Sequence, residues 1–380
     1  MTGPRILPTS DSSTPIFEDT SSPQPSTPQN QTDDGPASNS AAPPGTTLFA
    51  SEEAADWKAA PEPLTERLGD RYVSQDVVEN AGSLIEVRQH PQSAVVGGHR
   101  PSVVADVLDL GGLVVGAVSI RGAAHYDSRT VRQDAYSLGS TEDGRYLVAA
   151  VADGVSEGKF SHLGAEWACQ QGVILAKQEL SQSGDCLQAD WGKVGSALRE
   201  EVRNRAIHHL GEGFLNSDGD RVQSADVPDS VFARAMGTTS ELLVVDTIPD
   251  ADDAFVALRI VISGDGSGLV LDQQKGWALL GDRKVGGDQS MASNAVSPLP
   301  VDTGPPNVFG WKLQPGQAVV VATDGFGDPI GDGATPVAGY LRRAWAKPLK
   351  SIPELIRTSN FIRVQADDDR SAVVVWACEN

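Results

Sequence analysis

No apolar run in this sequence approaches the roughly 18 residues that a membrane helix needs. The N-terminus, Met1-Thr2-Gly3-Pro4-Arg5, has no apolar signal core. Neither a membrane-spanning nor a secreted protein is expected. Cysteine is scarce: Cys169, Cys186 and Cys378 are odd in number and widely spaced. They make no zinc pattern and no disulfide framework, which fits a reducing, cytoplasmic setting. The six histidines form no His-Glu-x-x-His array, so histidine-based zinc chemistry is not indicated. Basic residues are outnumbered, 30 Lys and Arg against 51 Asp and Glu, for a formal net charge of -21. That balance argues against nucleic acid as the main ligand and keeps like molecules apart in solution.

What the sequence does have is carboxylate at the ends of apolar strands. Tyr146–Ala152 is a nearly continuous apolar run that stops on Asp153-Gly154. The pattern recurs where Ala318-Val319-Val320-Val321-Ala322 leads through Thr323 to Asp324-Gly325. Runs of this kind read as strands buried on both faces. A carboxylate at the mouth of such a strand is costly unless its charge is compensated. One Asp-Gly after a strand is ordinarily a turn. Here there are three acidic positions, the third being Asp368 with its neighbours beside the apolar run 371–376. Clustered carboxylates are the donors that hard divalent cations take. A metal-dependent enzyme is the expectation.

Residues 1–45 are dominated by Ser, Thr, Pro, Gln and Asn and hold too little apolar surface to fold, so a disordered tail is expected. The segment 46–111 reads as a partly docked linker, and the main domain as 112–380. Within it, strands are expected at 113–119, 134–138, 146–152, 238–245, 255–263, 268–271 and 277–280, then at the second Asp-Gly strand and at the C-terminus. Helices are expected from Ser161, over 193–209, 336–346 and 352–359, with a polar loop over 211–230. The strands from 238 to 280 follow one another without helices, which predicts an antiparallel meander and tells against a doubly wound dinucleotide fold. The stretch 282–310, rich in Gly, Ser, Asn and Pro, reads as a long functional loop. Gly264-Asp265-Gly266-Ser267-Gly268 runs into a strand with no Gly-Lys-Ser/Thr after it, so a nucleotide-binding loop has little support.

Five pieces, in order, resemble the PPM/PP2C family of metal-dependent serine/threonine phosphatases. They are Arg129-Thr130-Val131-Arg132-Gln133-Asp134-Ala135, Val151-Ala152-Asp153-Gly154, Gly237-Thr238-Thr239, Ser263-Gly264-Asp265-Gly266-Ser267 with Ala322-Thr323-Asp324-Gly325, and Asp368-Asp369-Arg370-Ser371. The resemblance covers about residues 112–378 and implies an α+β fold: a four-layer α-β-β-α sandwich of two antiparallel sheets between helices. It implies two Mg²⁺ or Mn²⁺ ions, and a weaker third in some members. Residue by residue, Asp153 is similar to the carboxylate that bridges both ions, and the carbonyl of Gly154 to a ligand of the second. Asp324 and Asp368 are similar to ligands of the first ion, and Asp265 to the acid that helps hold the third. Arg129, five positions before the catalytic-segment Asp134, is similar to the arginine that grips substrate phosphate, with Arg132 as a competing candidate.

Three positions depart from the family pattern. Gln133 stands where Glu is usual, as in a divergent bacterial branch. Val155 stands where eukaryotic members place a general-acid histidine, leaving His125 or His162 for that role. The usual Gly-Asp-Ser reads Gly264-Asp265-Gly266. The implied activity is hydrolysis of phosphoserine or phosphothreonine by a metal-activated water, with a phosphorylated protein as substrate and a Ser/Thr kinase or its targets as partners. The competing expectation is a catalytically weak relative that senses or scaffolds phosphoproteins.

Overall fold

The computed structural model describes residues 48–49, 56–58, 65–67, 76–78, 100–210, 214–215, 221–281, 297–361, 363 and 366–379. The chain divides into two units, 1–42 and 43–380, and all of these residues lie in the second. The expected tail, and residues 282–296 of the expected long loop, lie outside the described residues.

The strands in chain order are β1 (Leu48–Phe49), β2 (Thr65–Arg67), β3 (Asp76–Val78), β4 (Val103–Asp109), β5 (Leu113–Ile120), β6 (Ala135–Ser140), β7 (Tyr146–Ala152), β8 (Phe214–Leu215), β9 (Arg221–Val222), β10 (Ser240–Asp246), β11 (Phe255–Ser263), β12 (Ser267–Asp272), β13 (Gly276–Leu279), β14 (Asn307–Leu313), β15 (Gln317–Ala322) and β16 (Arg370–Ala377). The helices are α1 (Ala123–Ser128), α2 (Ser161–Ser183), α3 (Trp191–Leu210), α4 (Asp229–Met236), α5 (Asp324–Ile330), α6 (Pro336–Ala344) and α7 (Ile352–Ser359). One six-stranded sheet runs β1-β14-β11-β10-β7-β6 and the other β13-β12-β15-β16-β5-β4. Apart from the short parallel β1–β14 pair, the neighbours in both sheets are antiparallel.

The layering follows from the two-residue period of strands. In β5, Leu113, Val115 and Ala117 join the apolar layer between the sheets, while Val114, Val118 and Ile120 pack with α5, α6 and α7. In β7, Leu147, Ala149 and Val151 face the other sheet, and Tyr146, Val148, Ala150 and Ala152 pack with α2 and α3. Both faces are dry, so these strands read as unbroken apolar runs. The result is helix, sheet, sheet, helix, the four-layer α+β sandwich that the sequence led us to expect.

Several elements differ from the sequence reading. The meander divides: β10 and β11 pair in one sheet, and β12 and β13 in the other, so the chain changes sheets at the turn holding Asp265. The polar stretch 211–230 contains the β8–β9 pair and the start of α4. Residues 307–313, partly inside the expected loop, form β14. Upstream of residue 112, β4 pairs with β5 over seven positions, Val103↔Ile120 to Asp109↔Val114. Farther upstream, Lys58 exchanges two backbone hydrogen bonds with Trp277, and Trp57 sets its ring edge-on to Trp311, centroids 5.9 Å apart.

Candidate metal centre

The ends of β5, β7 and β15 and the starts of β6, β10 and β16 meet at one edge of the sandwich. Asp153 follows the last residue of β7, Asp134 precedes the first of β6, Asp324 opens α5 after β15, and Asp368 precedes β16. Four antiparallel connections thus deliver four acids to the same rim. Gly325 shows how closely they approach: a Cβ there would lie 2.0 Å from the Asp369 carbonyl oxygen and 3.3 Å from the Asp368 Cβ. Only a residue without a side chain lets the start of α5 press on the start of β16.

The electrostatics record the crowding. Burial drives the Asp153 carboxyl well above the usual carboxylate range, and the charge of Asp324 adds to it, with Asp368 and Asp369 behind. Burial does the same to Asp134, reinforced by Asp153 and then Asp369, although Thr323 Oγ1 donates to its Oδ2 at 2.6 Å. Asp134 and Asp153 raise each other's burden of charge, so the two carboxyls cannot both ionise freely. Asp368 is raised too, by burial first, against the favourable bond from the Asp369 N–H at 2.8 Å. Asp324, Asp368, Asp328, Asp367 and Arg363 line an open cleft of about 290 Å³ at this rim.

Asp265 sits in the turn between β11 and β12 and is half-buried. It is not among the charges that weigh most on Asp153. Arg129 caps the C-terminal end of α1 in a left-handed conformation, φ 61°, with its side chain exposed. Arg132 is buried and held by Ser119 Oγ and the carbonyls of Asp134 and Pro101. That arginine braces the loop before Asp134. Of the two histidines, His162 is buried with its pKa pushed down to about 4, by burial and then by Arg100, so it is neutral at neutral pH. His125 stands with Nδ1 2.8 Å from Asp369 Oδ1. Burial works against its charge, but the carboxylates of Asp369, Asp368 and Asp134 together outweigh it and its pKa is raised.

Asp369 is the residue that sequence reasoning did not separate from its neighbours. It is 2% exposed. Besides His125, its oxygens accept from the Gly122 N–H at 2.6 Å and from the Gln133 N–H. It ties β16 to the loops on either side of α1, whereas Asp368 beside it lines the cleft. The usable signal was the strand register. Val373, Val375 and Ala377 point between the sheets, so odd-numbered Asp369 continues inward and Asp368 does not.

Among the described residues, no three His, Cys, Asp or Glu side chains are gathered closely enough to hold an ion as they stand. The donor set nevertheless suits a hard divalent cation. It is all oxygen, its carboxyls are mutually destabilised, and the buried amide oxygen of Gln133 next to Asp134 has no hydrogen-bond partner.

The family model for protein phosphatase 2C matches residues 121–354, more than half of the chain. The chain belongs to the protein phosphatase 2C family. No curated protein sequence matches it. Among solved structures it is similar to the serine/threonine phosphatase of S. agalactiae, at 17% identity and TM-score 0.45, over 70% of this chain and 100% of that one. It is also similar to PppA, a regulatory component of the T6SS in Pseudomonas aeruginosa, at 16% identity and TM-score 0.43, over 72% and 100%. A third is the catalytic domain of the phosphatase PstP in complex with two manganese ions, at 16% identity and TM-score 0.42, over 70% and 99%. The family match ends before Asp368, so the place of that residue in this PP2C chain rests on the strand register and the cleft. Among the described residues, no helix is long and apolar enough to cross a membrane.

Proposed function

We propose that this PP2C-family protein hydrolyses phosphoserine or phosphothreonine in a phosphoprotein, a Ser/Thr kinase or one of its targets, in the cytoplasm. The observation that carries the proposal is the meeting of Asp134, Asp153, Asp324 and Asp368 at one rim, with burial and mutual charge raising Asp134, Asp153 and Asp368. Asp153, the Gly154 carbonyl, Asp324 and Asp368 would hold two Mg²⁺ or Mn²⁺ ions, and Asp265 a weaker third. When bound, the ions supply a nucleophilic water at neutral pH and neutralise charge on the phosphoryl oxygens.

The chain's own residues do the rest. Thr323 fixes the orientation of Asp134. Asp369 fixes the backbone at Gly122 and Gln133, and so the loop between them that carries Arg129. Arg129, exposed on that loop, binds the phosphate of the substrate. His125, whose proton is retained by Asp369, is the better placed of the two histidines to donate a proton to the leaving serine or threonine oxygen.

A second reading, a phosphoprotein sensor with weak turnover, is favoured by the uncharged Gln133 and by Val155 next to Gly154. Hydrolysis of para-nitrophenyl phosphate with Mn²⁺, with Mg²⁺ or with EDTA separates the two. The proposal expects metal-dependent turnover. The sensor expects phosphopeptide binding with at most weak turnover in any of the three.

A further inference from the structure

The hydrogen-bond ladder between β7 and β10 is regular from Asp246↔Tyr146 to Glu241↔Val151. The same register is kept beyond it, with Gly154 opposite Thr238, while the irregularity at Ser240/Glu241 lies in the pairing of β10 with β11 on its other side. Opposite Asp153 the backbone pair is only half made, since the Thr239 N–H reaches the Asp153 carbonyl but the return bond goes to a side chain. A buried N–H must still find an acceptor. The Asp153 N–H donates to the side-chain Oγ1 of Thr239 at 2.8 Å. The Asp153 carbonyl accepts twice, from the Thr239 N–H at 2.8 Å and from Thr238 Oγ1 at 2.8 Å. Thr238 also bridges to Gly154, and Val155 N–H donates to the Gly237 carbonyl at 3.0 Å.

Segment 237–239 thus extends β10 in register, with the Thr239 hydroxyl standing in for a ladder carbonyl and the Thr238 hydroxyl adding a second bond to the Asp153 carbonyl. What it grips is the turn that presents the Asp153 carboxylate and the Gly154 carbonyl. That turn is under load, because Asp324, Asp368 and Asp369 repel Asp153. Thr239 is braced from behind. Gly264 has φ +127°, and a Cβ there would fall 2.6 Å from the Thr239 Cβ, so the turn before β12 packs directly on this threonine. A β-branched residue has few side-chain rotamers, which keeps Oγ1 on the Asp153 N–H.

We propose that Thr239 is a positioning residue for the metal-bearing turn, with its hydroxyl rather than its bulk setting metal affinity. The inference rests on the proposed function, since it needs Asp153 and Gly154 to bind a metal. Mn²⁺ binding by calorimetry on the full chain tests it without requiring turnover. Thr239→Val keeps the shape and removes the acceptor. The expected result is an Mn²⁺ Kd about tenfold weaker, at a temperature where the metal-free variant is fully folded, with kcat for para-nitrophenyl phosphate lowered and KM little changed. Thr239→Ser restores the acceptor and is expected within about threefold of the parent. Should the valine variant not fold, Thr239→Cys, with a weak acceptor of similar size, is expected to weaken Mn²⁺ binding as well. A valine or cysteine variant that lowers Tm but binds Mn²⁺ as the parent does overturns the inference and leaves the proposed function standing. A parent chain that binds no Mn²⁺ overturns both.

Discussion

Asp153 is pushed out of its ionised form twice, by burial and by the like charge of Asp324. Removing one carboxylate relieves that load while deleting a proposed ligand. Asp153→Asn and Asp324→Asn are therefore each expected to lower metal-dependent turnover by at least about a hundredfold. The Tm of the metal-free protein should stay level or rise by a few degrees. Activity assays beside thermal melts in EDTA check both halves, and a variant that melts far lower would mean the acid is structural. His162 offers a pH test away from the acids. Its folded pKa of about 4 lies below the ordinary value of 6.5, so the unfolded chain binds the extra proton between those values. Stability then falls as pH drops through that window. A tenfold difference in proton affinity is worth about 1.4 kcal/mol, so the parent should lose roughly 2 kcal/mol of stability relative to His162→Gln between about pH 7 and about pH 4.5. Urea unfolding at the two pH values measures it, and other titrations common to both proteins cancel in the difference.

At the scale of elements, β4 covers what would otherwise be an open edge at β5. A chain beginning at residue 46 keeps β4 and is expected to melt within a few degrees of the full chain and keep its activity. A chain beginning at 112 exposes a long apolar edge strand and is expected to aggregate or to melt at least about 10 °C lower. Thermal melts of the two shortened chains side by side decide it. The elements that were legible in the sequence are those with both faces buried. In β5, β7, β15 and β16 every residue is buried, so apolar run and strand coincide. β14 was hidden because it opens on exposed Asn307 and exposed Lys312 breaks its apolar residues. α5 was hidden because Gly325, Gly327 and Pro329 are poor helix formers, and only packing of Phe326 and Ile330 into the core holds it. Asp153 and Asp324 could be found because each ends such a run. Asp369 is told from Asp368 only by carrying the register of β16 back past its first residue, since a shift of one residue turns a side chain to the opposite face.

At the scale of the whole molecule, two sheets pack so that their strand ends deposit acids at one rim, and the chain carries a net charge of -21. A protein with this surplus of carboxylate gains from a cation at that rim and has few other means of neutralising it. The central claim is that the rim is a metal-dependent phosphatase centre. The most direct measurement is the initial rate of para-nitrophenyl phosphate hydrolysis by the full chain in Mn²⁺, then in excess EDTA, then after Mn²⁺ is restored, with Asp153→Asn alongside. The account predicts turnover that EDTA abolishes and Mn²⁺ restores, and none from the variant under any condition. Turnover undiminished in EDTA, or retained by Asp153→Asn, would contradict it.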